Sequence, residues 1–370
     1  MSQKVRFVEP DTQWQRLRSE MEPVILGTLA KGDLILRSQL KTFEKNLAEY
    51  VGTSHSVGLN SGFHALHLSL IAAGIGPGDE VITVAHTFLA SISAIVLVGA
   101  KPVLVDVTED YNMDMDALEA AITPKTRGIM PVHLNGRICD MDRLMAVAKK
   151  HDLVVVEDAA QALGAKFNGR NAGSFGLTGC FSFYPFKSLG AYGDAGALTT
   201  SDAQVAKTVE RLRYNGEDRE TREFYHHGFT ALLDNVQAAV LDVKLKYFPA
   251  WVERRRELAD RYRQGLEGVG DLRLPHWADK PGKTWYDTYQ NYVIRTARRD
   301  ELNEHLKANN VETIVSWARP IWTFEALQLG EHHLPETESI CREVVSIPLN
   351  SEISNDSVDY VIDVIRKFYS

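Results

Sequence analysis

Short apolar runs alternate with stretches of helical spacing from about residue 55 onward, a pattern that predicts a sheet built from successive β-α units. The spacing predicts strands over 81–84, 102–106, 128–132 and 153–158, with helices over 91–98, 117–122 and 141–150 between them. Helical patterns return at 204–214 and 234–246. After Pro249 the profile changes to a long charged helix, then to shorter elements at 292–295, 300–308 and 358–368. This predicts a large domain, residues 1–248, with a mostly parallel sheet between helices, and a smaller α+β domain, residues 249–370. The Pro- and Gly-containing stretch 275–283 reads as a surface connection, and Arg254, Arg255 and Arg256 read as a solvated face or a source of salt bridges.

Three points on this pattern carry candidate chemistry. Lys187 follows an apolar strand, 180–184, and enters a turn rich in glycine, hydroxyls and aromatics. Desolvation there favours a neutral, nucleophilic amine able to form a Schiff base, and a lysine that snorkels to water from a strand end fits the same residues. The run 153–158 is apolar, mostly β-branched, and closes on Glu157 and Asp158, as a buried parallel strand does with a carboxylate at its carboxyl end. Asp158 there could hold a cofactor's ring nitrogen protonated, or cap a helix. Around Asn60, Ser61 and Gly62 a short strand turns into a helical pattern, and small residues at that turn let backbone amides approach a phosphate at the helix N-terminus. A phosphate cradle, an acid at a strand end and a downstream lysine, in that order, are the parts that pyridoxal phosphate requires.

With these parts in place the chain resembles a nucleotide-sugar aminotransferase of the DegT type, a pyridoxal-phosphate family of fold type I. The resemblance spans nearly the whole chain through segments 74–81, 122–127, 131–136, 157–161, the Lys187 stretch and 233–239. It implies a three-layer α/β large domain and pyridoxal 5'-phosphate as cofactor. Lys187 becomes the Schiff-base lysine and proton shuttle, and Asp158 the partner of the pyridinium nitrogen. Gln161 is implied at the phenolic oxygen or ring face, and Phe88 stacked on the ring. Ser182, with Ser61 and the amides of Gly62 and Phe63, would hold the phosphate. The partners implied are L-glutamate as amino donor, a nucleoside-diphosphate keto sugar as acceptor, and a second copy of the chain that shares the active site.

Several positions depart from the family pattern. Phe63 stands where a threonine often adds a hydroxyl to the phosphate, and Phe186 and Ser188 flank the lysine where Thr and Asn are common. Thr230 stands where an asparagine of the neighbouring subunit usually reaches the phosphate. Asn135 replaces a frequent tyrosine, and 316–319, with Trp317 and Arg319, replaces a His-Tyr-Pro type segment. His86, Asn135, Trp317, Arg319 and Trp322 are therefore candidates for the substrate rim, and a purely structural role fits each of them as well. Related dehydratases carry histidine at the lysine position, so Lys187 favours transamination over keto-sugar dehydration. An inosose-type cyclitol acceptor stays open.

Composition adds exclusions. A net charge of -8 argues against an electrostatic nucleic-acid surface. The three cysteines, Cys139, Cys180 and Cys341, have no paired spacing, and the histidines form no ligand-like set, so neither a disulfide framework nor a metal site is expected. No apolar stretch suggests a leader or a membrane span, and a cytoplasmic location is expected.

Overall fold

The structure, a computed structural model, describes residues 4–275, 279 and 282–370. Most of the 275–283 connection, and the first three residues of the chain, lie outside the described residues. Seven strands form the main sheet: β1 (His55–Leu59), β2 (Glu80–Val84), β3 (Lys101–Val105), β4 (Thr126–Met130), β5 (Val154–Asp158), β8 (Thr178–Ser182) and β9 (Gly196–Thr200). Their order is β1-β9-β8-β5-β4-β2-β3, and β9 alone runs antiparallel to its neighbours. Three two-residue strands, β6 (Lys166–Phe167), β7 (Arg170–Asn171) and β10 (Trp285–Tyr286), make a small separate sheet. The remaining pair, β11 (Tyr292–Arg295) and β12 (Val344–Ile347), is antiparallel.

Strand residues alternate between two cores, as a period of two requires. Ile82, Ile129, Val155 and Phe181 join one cluster, whereas Val81, Met130, Val156 and Cys180 join the other. Helices α3 (Gly62–Ala72), α4 (Leu89–Leu97) and α7 (Ala203–Leu212) contribute to the second core. The first is covered by α1 (Pro10–Ala30), α2 (Ser38–Val51), α5 (Met115–Ala120), α6 (Met141–His151) and the amino half of α8 (Asn235–Leu266). The result is the three-layer α/β arrangement expected from the alternation.

One expectation fails in detail. The helical patterns on either side of Pro249 are one helix of 32 residues, and α8 runs through the proline. A proline there forfeits one backbone hydrogen bond, yet residues on both sides of it are buried: Phe248, Trp251 and Val252 in the large core, Leu258, Tyr262 and Leu266 in another. That other core also takes residues of β11, β12, α9 (Arg299–Ala308) and α11 (Asn355–Tyr369), while α10 (Pro335–Glu343) turns Ile340 toward the large core. The arginine triplet on α8 is a second correction. Arg255 is buried and donates to the carbonyls of Tyr289, Gln290 and Leu349, because its place on α8 faces the segment leading into β11 rather than water.

Candidate active site

The carboxyl ends of β5 and β8 and the N-termini of α3 and α4 meet around a cavity of about 550 Å³. This is where an open α/β sheet presents ligands. Ser61, Gly62, Phe63, Phe88, Asp158, Gln161, Ser182, Lys187 and Trp317, all expected at the site from the sequence, line it together.

The cradle is built by close approach of backbones. Ser61 caps α3, its hydroxyl accepting the amide of His64, so the amides of Gly62 and Phe63 are first-turn donors with no intrahelical acceptor. A Cβ on Gly62 would stand 2.7 Å from the Cβ of Ser182, and one on Gly196 would stand 2.2 Å from the carbonyl carbon of Ser61. Only glycine at both positions brings the helix N-terminus against the ends of β8 and β9, with the Ser182 side chain alongside. Two free amides, a hydroxyl and a helix dipole suit a phosphate.

Asp158 is buried at the end of β5. Its Oδ2 accepts from the hydroxyl of Ser91 at 2.7 Å, and its Oδ1 from the amide of Ala160 at 3.2 Å. Burial raises its pKa, and the hydrogen bonds from Ser91 and Ala160 and the charge of Lys187 oppose that rise. Burial likewise pulls the Lys187 ammonium down to about 8, with the Asp158 carboxylate working against the shift. An amine with this value is still mostly protonated near neutral pH, but it holds a far larger neutral fraction than an ordinary lysine, and the neutral form is the one a nucleophile needs. Phe88, the residue preceding α4, leaves 63% of its surface exposed at the cavity, an apolar face ready to cover a flat ring. Gln161 is oriented by the amide of Asn135, which donates to its Oε1 at 2.9 Å. The donors and the acid therefore fit pyridoxal phosphate: Gly62, Phe63 and Ser182 at its phosphate, Asp158 at its ring nitrogen, Lys187 at its aldehyde.

The remaining candidates lie elsewhere. His86 is 3% exposed, near-parallel to the ring of Tyr111 and edge-on to Trp317, so it supports the rim from behind rather than lining it. Burial pulls its pKa down to about 3, which keeps the ring neutral. The side chain of Asn135 accepts from Asn291. Arg319 lies over the ring of Phe324 at 3.7 Å, and Trp322 packs against His332. Thr230 is exposed, bonds to Asn215, and does not reach the cavity of its own chain.

Sequence reasoning missed the residues that hold the functional side chains. Thr87 and Ser91 form a hydroxyl pair at 2.9 Å, and their spacing of four around the start of a helix was the available signal for the partner of Asp158. The loop carrying Lys187 is held from α8 by Gln237, which accepts from the amide of Tyr192 at 2.9 Å, and by the buried Lys244, which donates to the carbonyl of Gly190 at 2.7 Å. Tyr184 adds a further aromatic to the cavity.

Comparisons with known proteins point to one family. The DegT/DnrJ/EryC1/StrS aminotransferase family matches residues 15–366. A protein of Geobacillus stearothermophilus named as a pleiotropic regulatory protein is 39% identical over 99% of this chain and 98% of its own. The dTDP-3-amino-3,4,6-trideoxy-alpha-D-glucose transaminase of Streptomyces venezuelae is 40% identical over 99% of this chain and 96% of its own. A solved structure of S. venezuelae DesV in complex with a ketimine intermediate superposes with a TM-score of 0.95 at 39% identity, covering 99% of each chain.

Proposed function

The chain belongs to the DegT/DnrJ/EryC1/StrS aminotransferase family, and from that premise we propose that it transfers the amino group of L-glutamate to a nucleoside-diphosphate-linked keto-deoxy sugar, in a homodimer whose subunits share their active sites. The protein is a pyridoxal-phosphate-dependent nucleotide-sugar aminotransferase with the architecture of fold type I. One observation carries the assignment of roles: Lys187 and the hydrogen-bonded carboxylate of Asp158 face one cavity beside the amide cradle at the start of α3.

Bound pyridoxal phosphate supplies a ring that takes up the electron pair left when the substrate carbon loses its proton. Lys187 takes that proton with its ε-nitrogen and gives it back at the adjoining position. Asp158, fixed by Ser91, would hold its charge opposite the ring nitrogen. Phe88 would cover one ring face, Gln161 would meet the phenolic side, and the α3 amides with Ser182 would hold the phosphate against sliding. Trp317 is the rim residue of this chain best placed to meet the sugar.

The need for a second copy has a physical basis in the charges. Lys187 is the one cationic side chain lining the cavity among the described residues, while Asp158 and Asp194 are acidic. The two carboxylates of glutamate and the diphosphate of the sugar would therefore find no cation other than Lys187 in this lining. Thr230, which does not line the cavity of its own chain, is the exposed position where the family resemblance implies a donor from the other copy. No helix among the described residues is long and apolar enough to cross a membrane, and the three cysteines are free, which supports a cytoplasmic enzyme.

The test is incubation of holoenzyme with L-glutamate and a panel of nucleotide-linked keto sugars, read by mass spectrometry. Equimolar amino sugar and 2-oxoglutarate are expected. Deoxygenated sugar without amine would instead establish a dehydratase, and amination of free inosose alone a cyclitol aminotransferase. A protein that binds cofactor but never loses its absorbance band with glutamate would be a regulator, the reading that the name of the Geobacillus relative invites. The retained amine, acid and cradle weigh against that outcome.

A further inference from the structure

The loop that bears Lys187 is gripped from the other side by a residue that the roles above do not use. The side-chain oxygen of Gln290 accepts from both the amide and the hydroxyl of Ser188, each at 2.7 Å. Its amide nitrogen donates to the carbonyl of Phe186 at 3.2 Å. The two flanks of Lys187 are thus bonded to the two ends of one planar amide, and only a side chain with a donor and an acceptor side by side can make this set.

Gln290 is itself immobilised. It is buried, and Arg255 of α8 donates to the carbonyls of Tyr289 and Gln290 at 3.0 and 2.7 Å. Its own amide donates to the carbonyl of Asn135 at 2.9 Å, and the amide of Thr288 to the carbonyl of Gly136 at 2.9 Å. The two segments press closely: a Cβ on Gly136 would stand 2.5 Å from the hydroxyl of Thr288 and 2.8 Å from the amide of Tyr289. Asn135 and Tyr289, neither a glycine, both hold left-handed backbone at this contact, with φ of 55° and 49°. Such conformations persist where the surroundings over-determine them. Asn135 is also the residue whose amide orients Gln161.

We propose that Gln290 is a positioning residue for Lys187, the segment 288–291 serving as a rigid anvil that fixes the lysine loop directly and Gln161 through Asn135. Ser188 and Gln290 then form a functional pair: the serine that departs from the family pattern beside the lysine supplies both of the hydrogens that the Gln290 oxygen accepts. A glutamate at 290 keeps the acceptor and loses the donor to Phe186, so it separates the two halves of the grip.

The inference rests on Lys187 being the lysine that bonds the cofactor, and the test keeps the two apart. Borohydride trapping of holoenzyme with peptide mapping locates the modified lysine. If wild type is labelled anywhere other than Lys187, the site assignment falls and this inference with it. With Lys187 labelled, Gln290→Ala is expected to lower kcat about tenfold with KM for L-glutamate within about twofold, the pattern of a misplaced catalytic group. In the apoprotein the same variant should speed hydrogen exchange of the Lys187 and Ser188 amides about tenfold, while peptides of α3 stay unchanged. Ser188→Ala should give a smaller effect, and the double variant one no larger than Gln290→Ala, since both act through one contact. Gln290→Glu should fall between wild type and Gln290→Ala, and it decides the matter if the alanine variant does not fold. Wild-type kcat and wild-type exchange at 187–188 in a folded Gln290 variant would overturn the proposal.

Discussion

Lys187 and Asp158 meet the same desolvation with opposite consequences, since burial disfavours the charged form of each and each one's charge relieves the other. A lysine held at about 8 in the fold, against about 10.4 in an unfolded chain, costs stability while it is charged. That cost fades as pH rises from about 8 toward the unfolded value, because the unfolded state then binds the extra proton. The same balance predicts reactivity. In apoprotein, labelling of Lys187 by an amine-selective reagent, followed by peptide mass spectrometry across pH, should rise to a plateau with a midpoint near 8. Asp158→Asn removes the one charge that raises the lysine pKa, so the midpoint should move lower. A wild-type profile still climbing through pH 10 would contradict the coupling. At this scale the sequence was informative where an ionisable group closes an apolar run, as both of these do. It was silent on Ser91, whose role depends on a partner 67 positions away.

At the scale of elements, β5 ends on two adjacent acids that the strand's alternation sends to different tasks. Asp158 serves the cavity, while Glu157 is fully buried and accepts from the amides of Gly173, Phe175 and Gly176 at 2.8, 2.6 and 2.7 Å. Its Oε2 also lies 3.0 Å from Nε2 of His133. The Nδ1 of that ring accepts the amide of Cys139, so Nε2 carries the proton and donates to the carboxylate. Glu157 thereby closes the turn that leads into β8. In Glu157→Gln an amide NH₂ faces donors in place of an oxygen, which should cost about 3 kcal/mol and lower the thermal midpoint by several degrees. Cofactor affinity should weaken as well, and unchanged melting would show that the turn holds without the carboxylate. The strands and helices of the large sheet were legible because strands buried on both faces read as continuous apolar runs and the helices between them repeat at 3.6. The continuity of α8 was not, because the local preference of Pro249 opposes it and only burial against both cores overrides that preference. The burial of Arg255 escaped for the same reason, its three carbonyl acceptors being supplied by segments distant in the chain.

For the molecule as a whole, the exposed large apolar side chains bear on the proposed second copy. Leu26, Leu29, Leu34 and Ile35 lie along the end of α1 and the lead into α2, and Phe224 and Tyr225 on the excursion after α7. These two stretches converge, since Leu36 and Lys41 line one cavity together with Glu217 and Arg219. With Phe224 at 69% exposure, such a surface is costly in a free monomer and suits a self-complementary contact. The same excursion continues to Thr230, which would then stand at the partner's phosphate cradle rather than its own. Leu34→Glu combined with Phe224→Glu should convert a species of twice the chain mass into one of the chain mass, measured by light scattering. Each substituted residue lies outside the cavity of its own chain, so the dissociated variant should keep its fold by circular dichroism. If the second copy completes the site as proposed, it should bind pyridoxal phosphate at least tenfold more weakly and lose turnover with glutamate. A monomeric variant with wild-type cofactor affinity and turnover would mean that one chain completes the site alone.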